Sequence, residues 1–266
     1  MGPVERVVVF TRSRASMAAA PTSVAAPPGS PIQQVWTEAH PKPTLLSDFI
    51  LGSQDGIVNV LGIILGLVAA HTAAKIVLVA ALAALGAESI AMAAVAYTST
   101  RSRRRLYLGE VQRELREMKE VPHLERQEVR DVLVKWGYKG ADLEDLLDRL
   151  CANPKAWLEF MMAFELGLTR VEEDEPRKSG YIVGASTIVG HLIPLAPFFF
   201  VGADIFLGAS IAIVLSAITL FMTGWYEAKI TSGRWLVNGI QMILIGLGGG
   251  IAGYAIGYLV GAATGI

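Results

Sequence analysis

Five separate apolar runs, each long enough to cross a bilayer, constrain this chain more than any other feature of its sequence. They lie at about 49–70, 76–98, 180–202, 204–226 and 236–264, and a helix needs about 20 apolar residues to span the hydrocarbon core. Backbone N–H and C=O groups in lipid must be satisfied within the segment, so runs of this length predict helices. "HTAAK" at 71–75 leaves room between the first two runs for a helical hairpin and nothing larger. The third and fourth runs meet as closely, around Gly202 and Asp204. The expected fold class is an all-α membrane protein with five transmembrane helices.

The charges sharpen this division. Of 23 Lys/Arg and 24 Asp/Glu, 16 and 17 respectively fall between Arg101 and Lys178, so the remainder is nearly uncharged. We therefore expect a helical cytoplasmic insert at 101–178 between spans two and three. Spans one and two lie within 44–100, and spans three to five within 179–266. Residues 1–43, rich in Ala, Pro and Ser, read as a disordered cytoplasmic tail; "RVVVF" is too short for a signal-peptide core. Orientation follows from "RSRRR" at 101–105, directly after span two, because basic loops stay in the cytoplasm. Counting spans puts the N-terminus inside, Lys229 and Arg234 inside, and the C-terminus outside. A net charge of −1 offers no field for nucleic acid. The single cysteine, Cys151, excludes an intrachain disulfide and any multi-cysteine zinc site.

Glycines recur at every fourth position in span five, at Gly249, Gly253, Gly257, Gly261 and Gly265. That spacing clears one helix face for close backbone approach. Span one has two shorter versions, Gly52/Gly56 and Gly62/Gly66, which we expect to pack against a second copy in a dimer. Within the insert, Pro122, the pair Gly137 and Gly140, and Pro154 predict breaks between three or four short helices.

Three groups of residues carry chemistry. In "SDFILGSQDGIVNVLG", Asp48, Asp55 and Asn59 recur at spacings of seven and four on one helix face. An intramembrane carboxylate is costly and marks an ion or proton pathway; the ordinary alternative is an interfacial cap or a pair with a neighbouring span. In "ALGAESIAMAAVAY", Glu88 and Met92 stand one turn apart, offering an oxygen and a sulfur ligand to a cation. In the insert, Glu110, Glu114 and Glu117 share a face, and Glu125 and Glu128 form an i, i+3 pair beyond Pro122. Glu159, Met162 and Glu165 step by threes, with Met161 one turn before Glu165. Converged, these would make an oxygen-rich metal site with sulfur at its edge, but acidic helix faces are ordinarily just solvated, and Arg113 offers simple surface pairing, which spacing alone favours.

Several function classes are excluded. His40, His71, His123 and His191 are scattered and do not supply the Glu-x-x-His on each of two helices that di-iron bundles need. No phosphate-binding glycine loop, dinucleotide fingerprint or nucleophile elbow occurs, so ATP-driven transport by this chain alone is unsupported; we expect a non-enzyme without a prosthetic group.

"DFILGSQDGIVNVLGIILGL", "AESIAMAAVAYTSTRS" and "NPKAWLEFMMAFELGL" resemble the vacuolar iron transporter family, from about Leu45 to the C-terminus. The resemblance implies a homodimer that exports Fe2+, and often Mn2+, from the cytosol in exchange for protons. It implies an ion path between the two copies lined by Asp55 and Met92. It also implies a cytoplasmic metal-binding set of Glu114, Glu117, Glu125, Glu128, Met161, Met162 and Glu165. The role of Glu88 follows from its location alone. The methionines would favour Fe2+, Mn2+, Co2+ or Zn2+ over Ca2+ and Mg2+. The expected membrane is the plasma membrane of a prokaryote or the vacuolar membrane of a eukaryote. The alternative is a membrane-anchored metal-binding or iron-oxidising protein without transport; the polar residues of spans one and two speak against it, since an anchor needs none.

Overall fold

A computed structural model describes residues 43–264, apart from Ala203 and Ser232. The tail expected at 1–43 and the last glycine of the span-five series, Gly265, thus lie outside the described residues, save for Pro43 itself. The described residues are mostly helical, with no strand. Five helices are long and apolar enough to cross a membrane. They are α1 (Pro43–Ala69), α2 (Ala74–Glu120), α6 (Glu175–Leu195), α7 (Ile205–Ile230) and α8 (Trp235–Thr264). Between α2 and α6 lie α3 (Pro122–Lys135), α4 (Gly140–Cys151) and α5 (Pro154–Phe160), the last continued by a π-turn at Met161–Glu165.

The first insert helix is not separate from span two. α2 runs unbroken for 47 residues, about 70 Å at 1.5 Å per residue. Nothing in "RSRRRLYLGEVQREL" breaks a helix: Gly109 is alone, and Arg, Leu, Glu and Gln are good helix formers. Glu110, Glu114 and Glu117 are therefore on the same helix as Glu88 and Met92. The breaks expected further on do occur. Val121 ends α2 and Pro122 starts α3. Gly137 and Gly140, with φ of 94° and 60°, supply the left-handed backbone of the α3–α4 turn. Asn153 caps α5, its Oδ1 accepting from the backbone N–H of Lys155 at 3.1 Å and Ala156 at 3.3 Å.

α1 is the hub of the membrane region. Its Val60, Leu61, Ile64 and Leu65 are buried against Val77 and Ala81 of α2, Leu195 of α6, and Ala209 and Ala212 of α7. Its glycines pack against helices of the same chain. A side chain at Gly52 or Gly56 would meet Ser186, Thr187 or His191 of α6. Gly62 and Gly66 face Gly249 and Gly253 of α8. By contrast, much of the apolar stretch of α2 points outward, with Val79, Ile90 and Val95 exposed. A second core holds the insert together: Val129, Val132, Leu133, Leu143, Leu147, Trp157, Phe160 and Met161, with Met118 of α2 packed against it.

Candidate functional site

Two polar constellations sit at opposite ends of this framework. The first is inside the membrane region. α1 carries apolar span residues from Leu45 to Ala69, and Asp55 and Asn59 flank its midpoint. The side-chain amide of Asn59 donates to Glu88 Oε1 across the α1–α2 interface. Glu88 Oε2 lies 2.9 Å from His191 Nε2 on α6. Asp55 adjoins both Glu88 and His191, and its Oδ2 is buried without a hydrogen-bond partner. Three helices thus converge on one polar group at mid-depth.

The local sequence explains why this is possible. A side chain at position 56 would lie 2.8 Å from His191 Nδ1 and 2.5 Å from the Thr187 carbonyl oxygen. Gly56, next to Asp55, therefore lets α6 press its histidine against α1. Met92 stands one turn from Glu88 on the insert side, half-buried. Asp48 is half-buried too, about 10 Å from Asp55 along the α1 axis, and so apart from the central group. Sequence reasoning found Asp55, Asn59 and Glu88 but passed over His191. A histidine in the apolar stretch "STIVGHLIPL" was the available signal, since ionisable residues in spans are rarely idle.

The second constellation is in the insert, where α2 meets α3 and the π-turn. Ligand oxygens of Glu114, Glu117 and Glu125 all lie within 4.8 Å of one another. Glu114 and Glu125 are each only 4% exposed, so the solvated-face reading does not hold for them. One carboxylate oxygen of each, and one of Glu110, is buried with no hydrogen-bond partner. Burial, the hydrogen bond to Glu125, and the charges of Glu125, Glu117 and Glu128 push Glu114 up to about 7. Glu125 is also raised, by burial and by Glu128, Glu117 and Glu165, against the pull of its bond from Glu114. Glu165 is raised by burial and by Glu128, Glu114 and Glu117, with Arg113 opposing. Like charges held this close out of water are unfavourable unless protons or a cation offset them. The donor set is hard oxygen, the arrangement a divalent ion fits.

Other members of the expected set are placed less centrally. Glu128 and Glu165 are exposed but near enough to act on Glu114 electrostatically. Glu110 and Glu117 flank Arg113, at 3.6 and 3.0 Å. Glu159 turns to solvent toward Lys155. Met161 and Met162 are both buried, 0% and 2% exposed. Met161 belongs to the insert core. The two lie in a π-turn closed by the Leu166 N–H bonding to the Met161 carbonyl at 3.0 Å, a local widening often found at functional sites.

Residues 46–258 match the VIT family. Vacuolar iron transporter 2 of Oryza sativa subsp. japonica is 34% identical over 203 residues, covering 76% of this chain and 82% of that protein. Vacuolar iron transporter 1 of Tulipa gesneriana is 32% identical over 79% of this chain and 85% of its own length. The vacuolar iron transporter of Plasmodium falciparum (isolate 3D7) is 30% identical, with 80% and 81% covered. A match over most of the sequence, to relatives themselves matched over most of theirs, with five spans and an intervening helical insert, identifies this chain as a member of the VIT family.

Proposed function

We propose that this protein exports Fe2+ from the cytosol across the membrane in which it sits, exchanging it for protons. The observation that carries this reading is the group formed by Asp55, Asn59 and Glu88 at mid-membrane depth, from two spans that an anchor would have no reason to keep polar. The relatives are named as iron transporters rather than enzymes, which supports transport as the activity. In this reading the insert is cytoplasmic and captures the ion with Glu114, Glu117, Glu125, Glu128 and Glu165, aided by Met161 or Met162. Glu110 borders that set. The ion then passes to Asp55 and Met92, with Asn59, Glu88 and Asp48 along the route.

A carboxylate that binds a metal cannot hold a proton at the same oxygen, so ion and proton displace each other at Asp55. This competition is the least that exchange requires. Mn2+ is a second cargo by the same donor chemistry. We place the protein as a homodimer with the path between copies, because Asn59 is exposed in the single chain and an amide facing lipid at this depth is unfavourable. The membrane is vacuolar, as in the relatives' names, or the plasma membrane of a cell without vacuoles. Purified protein in vesicles with an internal pH dye tests the reading. Fe2+ flux should move protons the other way, and Asp55→Ala should abolish both; undiminished flux in that variant rejects the path.

A further inference from the structure

We infer that Glu88 and His191 form a nitrogen–oxygen site for a transition-metal dication at mid-membrane depth, beside Asp55 and on the same route. The inference rests on the reading of Asp55 as part of the ion path. His191 has no exposed surface, and its Nδ1 lies 2.9 Å from the Thr187 carbonyl oxygen. A carbonyl oxygen only accepts, so Nδ1 carries a hydrogen, and the proton that Nε2 shares with Glu88 is the one an arriving ion displaces. That nitrogen faces Glu88 Oε2 at 2.9 Å. Metal-bound histidines are held in just this way, the second ring N–H donated to a backbone carbonyl and the first nitrogen aimed at the ion.

The spacing suits a metal. Two neighbouring ligands at about 2.1 Å from an ion, at a right angle, stand about 3 Å apart. An ion therefore takes both Nε2 and Oε2 without moving α2 or α6. The buried, unpaired Oδ2 of Asp55 is the next oxygen available to it, and Asn59 steadies the far oxygen of Glu88. Imidazole with carboxylate favours Fe2+, Mn2+, Co2+ or Zn2+, whereas Ca2+ and Mg2+ take oxygen sets. The insert cluster, built of Glu and Met, has no imidazole, so selection against the hard ions is repeated inside the membrane by a different donor.

That difference in donors supplies the test. The untagged full chain, loaded with Mn2+ to saturation, is examined by pulsed electron paramagnetic resonance for nitrogen-14 modulation from a bound imidazole. The modulation should be present in the wild type. It should persist when His40, His71 and His123 are all replaced by Ala, and vanish in His191→Gln. Glu88→Gln should weaken Mn2+ binding at the nitrogen-ligated site by about 10-fold or more, the loss that even an outer partner of a ligand costs. A wild-type spectrum without nitrogen modulation overturns the site and leaves His191 as a brace between α6 and α2; modulation that survives His191→Gln overturns it as well. A nitrogen-free wild-type spectrum decides against the site even if a variant fails to fold. Flux that needs Asp55, together with a nitrogen-free spectrum, removes this site and keeps the path; undiminished flux in Asp55→Ala with nitrogen ligation does the reverse.

Discussion

Gly66 of α1 and Gly253 of α8 meet backbone to backbone, so that a Cβ on Gly66 would lie 2.9 Å from the Gly253 carbonyl oxygen. A Cβ on Gly253 would fall directly on the Gly62 carbonyl. The neighbouring Gly248 has nothing within 4 Å. Gly253→Ala should therefore lower stability by at least the ~1–3 kcal/mol of overpacking, while Gly248→Ala stays within about 0.5 kcal/mol of wild type. Thermal unfolding in detergent measures both; equal melting temperatures for the two variants would show that the α1–α8 contact is not this close.

The two methionines should separate by function. Leucine conserves methionine's volume, and such swaps cost less than about 1.5 kcal/mol, so Met→Leu removes sulfur while leaving packing. Met161 sits among Val129, Leu133, Leu147 and Phe160, and Met161→Leu should leave Fe2+ affinity unchanged. Met162 is buried but is not a member of that core cluster, and Met162→Leu should weaken Fe2+ binding several-fold. Calorimetric titration of the full-length protein reads the contrast. Equal affinities in wild type and both variants would give both methionines to packing.

How much of this was legible beforehand depends on which kind of order a residue takes part in. The five spans were, because lipid demands long apolar runs that no other fold requires. The breaks at Pro122 and Gly137/Gly140 were, because backbone chemistry is local. Asp55, Asn59 and Glu88 could be singled out as polar residues in apolar runs. Which faces meet was not legible: periodicity says that Gly62 and Gly66 want a close partner, not that the partner is α8 of the same chain. His191 lies 103 residues from Glu88, and nothing local in either segment joins them. The burial of Glu114 and Glu125 likewise arises only when α3 folds back on α2. The π-turn left no mark in the spacing, since it changes the spacing that a helix face is read from.

Proton competition sets the pH dependence of the insert. Glu114 is raised to about 7 from an ordinary 4.5, and Glu125 and Glu165 are raised as well. The folded, metal-free insert thus holds more protons than the unfolded chain between about 4.5 and 7. Its stability is therefore greatest below that window and declines as pH rises through it. Metal binding runs the other way, because the ion must displace the proton on Glu114. Fe2+ affinity should fall about tenfold per pH unit below about 7 and level off above it. Glu114→Gln should reduce the decline in metal-free stability while weakening binding at every pH. A binding profile flat from pH 6 to pH 8 would mean that Glu114 is not protonated in the ion-free protein.

The proposed dimer would be built on one face of α1. Val58, Asn59, Gly62 and Ile63 line an open, largely apolar groove with Ala252, Gly253 and Ile256 of α8. Asn59 opens on this same outer side while its amide reaches Glu88. A path between two copies needs these faces opposed across the symmetry axis, where residue 63 of one copy approaches residue 63 of the other. Cys151 is the only cysteine, so Cys151→Ser gives a clean background for Ile63→Cys. Mild oxidation in native membranes should then yield a disulfide-linked dimer band through position 63, whereas a cysteine at Met222, exposed on α7, should not cross-link. Cross-linking at 222 with none at 63 would move the interface to α7, and with it the ion path away from Asp55 and Asn59.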